Sequence, residues 1–407
     1  MKILLATSRA IPGGGGIASY NQELIKALRK DNKFFLLTSS DEHNVEGFEY
    51  TESLYGDDIY NYDNASMILQ RINDERFDLI INSNSDFISI VAPFLNAPII
   101  SVSHFVNGFI ADCAGHNSEY NNAIIALSYY GKSYLEKKFK IKNPAKVKVV
   151  YNFVHPQSFI MDKLNNKRLV IVFPGGNSVM KSIDVVMDVA YRLKKTKLDF
   201  QFCWLGNTKL PSANLSIFGV KDLRQMLHGD DRFILTGKLP REKAERYISS
   251  ANIFLLPSRG EGCPMTLLEA MRAGCIPIVS NAKHGSRELI ESSNAGFVVK
   301  QGDSNAIVSL IEDIINYHSK YYEYYKKTRS FSEKELSPES WCKQMKTIIC
   351  EALSKPKKNI ELTEEEFKRS SKKYLALKNK GDMDARLSSA YNRVRMDWLY
   401  LRWRGWK

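Results

Sequence analysis

Apolar residues fall into two alternating patterns along most of the chain. Short runs rich in Ile, Val, Leu and Phe, bounded by polar residues or Pro, read as strands buried on both faces. Stretches with apolar positions three and four apart read as amphipathic helices. Residues 2–6 predict a strand, 11–16 a Pro/Gly loop, and 17–29 a helix with apolar positions at 17, 20, 24, 25 and 28. Further strands are expected at 34–38, 79–82, 99–102, 124–128 and 147–151, with room for helices between them. Near residues 165–168 the pattern restarts. A strand at 169–173 ends in Pro174-Gly175-Gly176, a helix follows at 182–193, and strands are expected at 200–205, 233–236, 253–256 and 276–280. Helices at 241–249 and 266–273 separate these strands, and the last clear helices are 305–317 and 338–353. Buried strands alternating with helices imply parallel sheets covered on both faces. The expected fold class is therefore α/β, in two halves that meet near residue 160. No repeat of solenoid period interrupts this pattern.

Length and composition agree with that outline. A chain of 407 residues can bury two full cores, and 44% hydrophobic with 25% charged residues is ordinary for a soluble globular protein. The apolar start is too short for a secretory signal and reads as a strand, and no 18 apolar residues run together as a spanning helix would require. Six cysteines, at 113, 203, 263, 275, 342 and 350, form no CxxC pair. That is the usage of reduced thiols, not of a disulfide frame or a zinc site. The expected location is the cytoplasm or the inner face of the plasma membrane. The net charge of +13 is concentrated at one end, with fifteen Lys and Arg against seven Asp and Glu from Lys355 onward. In the same tail Leu387, Ala390, Tyr391, Val394, Trp398 and Leu401 share one helical face, and Trp398, Tyr400, Trp403 and Trp406 cluster at the end. Such a basic, Trp-rich helix suits the headgroup region of an anionic membrane, or packs against the protein's own body. No recognition motif accompanies the charge, so nucleic acid is not the expected partner.

Two segments carry candidate chemistry. Gly13-Gly14-Gly15-Gly16 lies between the first strand and the first helix. Glycines there let backbone approach a phosphate at a helix N-terminus, or simply make a turn. The spacing is not the Gly-x-Gly-x-x-Gly of dinucleotide binders, because Ile17, Ala18 and Ser19 follow. The second segment runs from Pro257 to Gly274 and holds Glu261 in a turn and Glu269 in the following helix, eight positions apart. Turn amides at Gly262, Cys263, Pro264, Met265 and Thr266 lead into that helix N-terminus, which suits a diphosphate, although Pro264 itself has no N–H. Glu269 can accept both hydroxyls of a ribose and Glu261 can face a sugar. Alternatively, Glu269 only favours a helix N-terminus electrostatically and Glu261 is a solvated loop residue. His104 follows a buried strand, at the strand end where open α/β sheets bind ligands, or is a hydrogen-bonded structural residue.

The run Pro-Ser-x-x-Glu-Gly-x-x-x-x-x-Leu-Glu-Ala-Met-x-x-Gly over 257–274 resembles the signature of the large retaining glycosyltransferase family with the GT-B fold, family 4 (glycosyl transferases group 1). The likeness extends over most of the first 350 residues. Pro12 to Leu28 resembles the family's first Gly-rich loop and helix, and 99–104 its strand ending in histidine. Ala126-Leu127-Ser128 and Val149-Val150-Tyr151-Asn152 resemble inter-strand landmarks, and Gly285-Ser286-Arg287-Glu288 with 295–299 its late Gly-x-x-Glu loop and strand. The resemblance implies two Rossmann-like, doubly wound parallel-sheet domains facing a cleft, plus a C-terminal helical extension. These are an acceptor-side domain at 1–160, a nucleotide-sugar domain at 161–335, a helix at 336–354 crossing back to the first domain, and a basic aromatic helical tail at 355–407.

It also implies roles. Gly14, Gly15, Gly16, Gly175, Gly176, residues 262–266 and Glu269 would bind the donor, and Glu261, Lys181 and His104 would serve catalysis. Lys181 would neutralise the leaving diphosphate, Glu261 would sit by the donor sugar, and His104 would lie near sugar hydroxyls. The family commonly places an arginine after the glycine of the 173–182 loop, and here Gly176 stands in its place. Arg259, Arg287 or a tail residue are the alternative sources of that second cation. No acidic ligand cluster appears in either half, so no metal or other cofactor is expected, and Asp382-Met383-Asp384 in the tail reads as chance. The implied activity is transfer of a sugar from a UDP- or GDP-linked donor to a glycan or lipid-linked acceptor in bacterial surface polysaccharide synthesis. A sugar-nucleotide epimerase or phosphorylase, or a non-catalytic nucleotide- or glycan-binding partner, are the alternatives.

Overall fold

The computed structural model describes residues 1–8, 16–39, 47–53, 59–156, 163, 168–176, 178–209 and 222–403, without the side chains of residues 50, 52–53, 179 and 385–403. The chain divides into two compact units, residues 1–152 with 338–383, and residues 153–337 with 384–407.

In the first unit the described strands are β1 (Lys2–Thr7), β2 (Lys33–Thr38), β3 (Tyr50–Ser53), β4 (Leu79–Asn82), β5 (Ile99–Ser103), β6 (Ala123–Ala126) and β7 (Val147–Val149). They form one parallel sheet in the order β3-β2-β1-β4-β5-β6-β7. Helices α1 (Gly16–Leu28), α2 (Tyr62–Asp74), α3 (Asp86–Val91), α4 (Gly108–Gly115) and α5 (Tyr129–Lys138) make the connections. Ile3, Leu5, Ile80, Ile81, Ile99 and Ile100 are wholly buried, as strands covered on both faces require. Strand β3 was not expected from the sequence. Tyr50-Thr51-Glu52-Ser53 is mostly polar because it is an edge strand, paired with β2 alone.

The second unit repeats the plan. Strand β8 (Leu169–Phe173) leads to α6 (Ile183–Lys194), β9 (Phe200–Leu205), α7 (Leu223–Leu227) and β10 (Phe233–Gly237). Then come α8 (Arg241–Ser250), β11 (Ile253–Leu256), α9 (Met265–Arg272), β12 (Ile276–Ser280), α10 (Gly285–Ser293), β13 (Phe297–Val299), α11 (Ser304–Asn316) and α12 (Tyr322–Glu335). The parallel order is β10-β9-β8-β11-β12-β13. Phe173 and Trp204 meet edge to face at 4.7 Å in the core and are both wholly buried. Each such side chain contributes roughly 2–3 kcal/mol by leaving water. Gly285 to Glu288, expected as a loop, instead opens helix α10, capped by His284.

Helix α13 (Pro338–Leu353) returns to the first unit and lies against α1 and β5, burying Trp341 and Met345. Helix α14 (Glu364–Trp403) is 40 residues long, about 60 Å at 1.5 Å per residue. Its first turns are bound to the first unit. Phe367 and Tyr374 are buried, with Tyr374 Oη donating to Asp86 Oδ1 at 2.8 Å and Ser370 Oγ to the Ile90 carbonyl at 2.8 Å. Over residues 364–383 the tail therefore packs on the body. The basic aromatic face from Leu387 to Leu401 lies outside the described side chains, and Trp406 outside the described residues. Asp382 and Asp384, two apart on a helix, do not share a face. Among the described residues no helix is long and apolar enough to cross a membrane.

Candidate active site

The second unit gathers most of the expected site at the carboxyl ends of β8 and β11. Strand β8 ends at Phe173, and the chain turns through Gly175 and Gly176 into a 3₁₀ turn, Val179–Lys181, ahead of α6. A β-carbon at Gly175 would stand 2.1 Å from Phe173 Cζ, so only glycine fits beside that ring. Gly176 has φ +55 and its N–H donates to the Leu205 carbonyl at 3.0 Å, which brings it against Gly206. Strand β11 ends at Leu256 and the motif turn runs to Pro264, the cap of α9. The two loops are stitched together, since the Arg259 N–H donates to the Met180 carbonyl at 2.8 Å.

This stitching sets Lys181 against Glu261, with Nζ 2.5 Å from Oε1. Glu261, Gly262 and Cys263 are buried, while Pro264, Met265, Thr266 and Lys181 are partly exposed. Helix α9 begins at Met265, and its first amides have no intrahelical acceptor. Glu269, one turn on, is buried, and Arg241 of α8 reaches to 3.6 Å from its Oε1. Both glutamates and Lys181 thus belong to one unit and one sheet edge.

Three neighbours escaped the sequence reading. Asp184, in the first turn of α6, takes both oxygens to Arg259 Nη2 at 2.8 Å. The two acids in the otherwise apolar run Ile183 to Val189, Asp184 and Asp188, were the available signal, because a charge inside an apolar stretch needs a buried partner. His284 caps α10, its Nδ1 accepting from the Arg287 N–H at 3.2 Å. Its Nε2 lies 3.1 Å from Ser280 Oγ, and Ser280 in turn donates to the Ser258 carbonyl at 2.5 Å. Burial pushes the His284 pKa down, partly offset by the negative charge of Glu261. Arg259 is engaged with Asp184, and Arg287 with Glu291 at 2.7 Å and the Asn281 carbonyl at 3.1 Å. Both arginines offered for the missing cation thus have anionic or carbonyl partners.

In the first unit His104 directly follows β5 and is buried. Its Nε2 is 2.7 Å from Ser83 Oγ, and Tyr20 of α1 meets its ring edge-on at 4.9 Å. Burial lowers its pKa to about 3. Gly16 opens α1, whereas Gly14 and Gly15 lie outside the described residues. No group of three His, Cys, Asp or Glu that could hold a metal ion occurs among the described residues.

Residues 157–331, which hold Lys181, Glu261 and Glu269, match the family model for glycosyl transferases group 1. The amylovoran biosynthesis glycosyltransferase AmsK of Erwinia amylovora is 31% identical over 137 residues, covering 32% of each chain. An uncharacterised glycosyltransferase of Haemophilus influenzae is 27% identical over 216 residues, covering 52% of this chain and 56% of its own. The chain thus spans about a third to a little over half the length of these curated relatives. Among solved structures, Anabaena HepE in complex with UDP superposes with TM-score 0.69 at 15% identity, covering 86% of this chain and 100% of HepE. HepE has also been solved with UDP-glucose. The two parallel-sheet units therefore have the GT-B fold.

Proposed function

We propose that the protein is a retaining glycosyltransferase of family 4. It moves a sugar from a UDP- or GDP-linked donor to a glycan or lipid-linked acceptor in bacterial surface polysaccharide synthesis, without a metal ion. The observation that carries this reading is the Lys181–Glu261 contact of 2.5 Å at the ends of β8 and β11. With no donor present, Glu261 balances the Lys181 charge. An arriving diphosphate draws Lys181 to itself and releases Glu261 toward the donor sugar, where a carboxylate orients hydroxyls and stabilises positive charge at the anomeric carbon. Amides of Met265 and Thr266 add N–H donors for the diphosphate, and Glu269 accepts from the ribose. The acceptor hydroxyl attacks the face from which the nucleotide leaves, so a donor phosphate oxygen serves as base and no protein nucleophile is assigned. The UDP and UDP-glucose complexes of HepE and the amylovoran role in the name of AmsK support the donor class and the pathway type.

The test is thermal-shift binding of a nucleotide-sugar panel with and without EDTA, on the full chain and on Glu269→Ala. A ligand at 100 times its Kd stabilises by about 2.7 kcal/mol. One UDP- or GDP-sugar should raise the midpoint equally with EDTA and fail on Glu269→Ala. Product analysis with that donor then separates transfer to an acceptor from epimerisation or phosphorolysis. Gly176 in place of a cation favours one competing reading, a non-catalytic nucleotide-binding partner. Binding without turnover, and biological function surviving Glu261→Ala, would establish it. Peripheral membrane contact through residues 385–407 belongs to the same proposal. Loss of anionic-vesicle binding on truncation after Asp384, with the docked turns of α14 left intact, is the expected result.

A further inference from the structure

The carboxyl end of the first sheet holds a hydrogen-bond chain that the proposed reaction does not by itself require. Ser83 Oγ lies 2.6 Å from Asn21 Oδ1 and 2.7 Å from His104 Nε2. Asn21, on α1, and Ser83, just past β4, are wholly buried. A serine hydroxyl has one proton, and the amide oxygen of Asn21 can only accept it. The proton that joins His104 to Ser83 must then come from the histidine. The chain runs His104 Nε2–H to Ser83 Oγ, and Ser83 O–H to Asn21 Oδ1. Burial keeps the ring neutral down to a pKa of about 3, so only one ring nitrogen carries hydrogen. Nδ1 is therefore a bare lone pair, and it has no partner among the described residues.

The surroundings point to an outside partner. Tyr20 Oη, Asn21 Nδ2 and Asn84 Oδ1 are buried side-chain atoms that likewise have no partner among the described residues. Tyr20 touches the His104 ring, Asn21 ends the chain, and Asn84 adjoins Ser83 with φ +67. Buried donors and acceptors left open in one place mark where a polar group completes the network.

We propose that Asn21 and Ser83 are positioning residues that fix His104 as the Nε2–H tautomer. Its Nδ1 then accepts a hydrogen bond from a hydroxyl of the bound sugar. His104 in this state is an acceptor only, neither a general acid nor a cation. The inference rests on the reading that His104 faces a sugar, but its geometry can be tested without turnover.

The experiment is nitrogen NMR on the full chain labelled at the rings of its seven histidines, with His104 assigned by its loss in His104→Gln. Wild type should show His104 protonated at Nε2 and bare at Nδ1. Ser83→Ala should shift the tautomer balance, and Ser83→Thr, which keeps the hydroxyl, should restore it. With a nucleotide sugar that turns over, Ser83→Ala should lose roughly tenfold in kcat/KM, the size of one neutral hydrogen bond. Ser83→Thr should recover most of that loss. A wild-type Nδ1–H tautomer, or a tautomer unmoved by Ser83→Ala, overturns the proposal even if transfer is observed. The expected tautomer with no transfer from any donor leaves the positioning chain standing and removes the transferase reading instead. The wild-type spectrum alone decides the tautomer if Ser83→Ala does not fold.

Discussion

Restoring the family's arginine by Gly176→Arg sets two effects against each other, and the structure gives a size for each. Gly176 has φ +55, a left-handed conformation that disfavours any residue with a β-carbon by about 1–2 kcal/mol. A β-carbon there would also stand 3.3 Å from the Asn207 amide nitrogen, with Gly206 backbone 3.7 Å away. That wall is backbone and cannot swing aside. Together these predict a loss of about 2 kcal/mol, which lowers Tm by roughly 4–8 °C in a unit of this size. Against this, a guanidinium that reaches the diphosphate adds a charge-assisted hydrogen bond worth about 1.5–3 kcal/mol, roughly ten- to a hundredfold in affinity. Gly176→Ala carries the same strain without the charge, so the pair separates the terms. The assay is Tm and nucleotide-diphosphate Kd for wild type, Gly176→Ala and Gly176→Arg. Both variants should melt lower than wild type, and only Gly176→Arg should bind more tightly. If Gly176→Ala melts at or above wild type, the left-handed turn is not what excludes arginine and the reasoning fails.

Acid should unfold the first unit early. His104 and His116 have pKa values lowered by burial to about 3 and about 4, with Lys373 adding to the effect on His116. Below pH 6.5 the unfolded chain takes up protons that the folded chain refuses, so stability falls with pH until the folded values are reached. At pH 5 that amounts to as much as about 2 kcal/mol for each histidine. Urea midpoints at pH 7.5 and 5 should differ accordingly, and less in His116→Asn; an equal difference in that variant removes His116 from the account. In the second unit Lys163 is buried, with Nζ donating to the carbonyls of Ser249 and, at 2.6 Å, Ala251 beyond the end of α8. Lys163→Met should lower stability by about 2 kcal/mol through the lost charged hydrogen bonds. A Met variant as stable as wild type would mean that desolvation of the ammonium outweighs them. Asp184→Ala removes a buried carboxylate that holds the mostly buried Arg259 guanidinium. It should raise the KM for the nucleotide sugar, because the loop bearing Glu261 loses its tie to α6; an unchanged KM with only a lower Tm would make the pair purely structural.

The buried parallel strands were legible because each is a short unbroken apolar run. The predicted 169–173, 200–205, 253–256 and 276–280 coincide with β8, β9, β11 and β12. Polar edges were not legible. β3 is held by backbone pairing to β2 alone, and nothing in Tyr50-Thr51-Glu52-Ser53 requires burial. Helix α12 was missed for a related reason. Its Tyr- and Lys-rich sequence buries only Tyr325, Thr328 and Ser332, so its apolar stripe is thin. At the site, the motif spacing brought out Glu261 and Glu269, because eight residues across a turn and one helical turn set both on the same sheet edge. The Lys181–Glu261 contact was not readable, since it depends on the backbone bond between Arg259 and Met180 that joins two loops 80 residues apart. The tail read as one basic amphipathic unit, but Phe367, Ser370 and Tyr374 divide it. Their spacing of three and four is a docking stripe that the surrounding lysines obscure.

Each unit places a buried histidine and serine where its sheet ends, and the difference between the two pairs decides how each is read. In the second unit His284 Nε2–H donates to Ser280 Oγ, whose own proton goes to the Ser258 carbonyl, while Nδ1 accepts from the Arg287 amide. Every hydrogen-bonding position of that ring is used within the protein. His284 thereby fixes the start of α10 and the Pro257-Ser258 turn, and it has nothing left with which to meet a ligand. In the first unit His104 Nε2–H donates to Ser83 Oγ and the Ser83 hydroxyl donates to Asn21 Oδ1, but no backbone amide caps His104 Nδ1. One histidine is closed and the other is open at one nitrogen. Burying the unmet Tyr20, Asn21 and Asn84 groups beside it would disfavour the fold by about 1–3 kcal/mol for each group if nothing ever paired with them. The first unit retains them together at the sheet end where ligands of α/β folds bind. Replacing Arg287 by proline, which removes the amide on His284 Nδ1, should therefore lower stability without changing the nucleotide-sugar Kd, whereas His104→Phe should weaken sugar recognition with little loss of stability. The reverse pattern would exchange the two assignments.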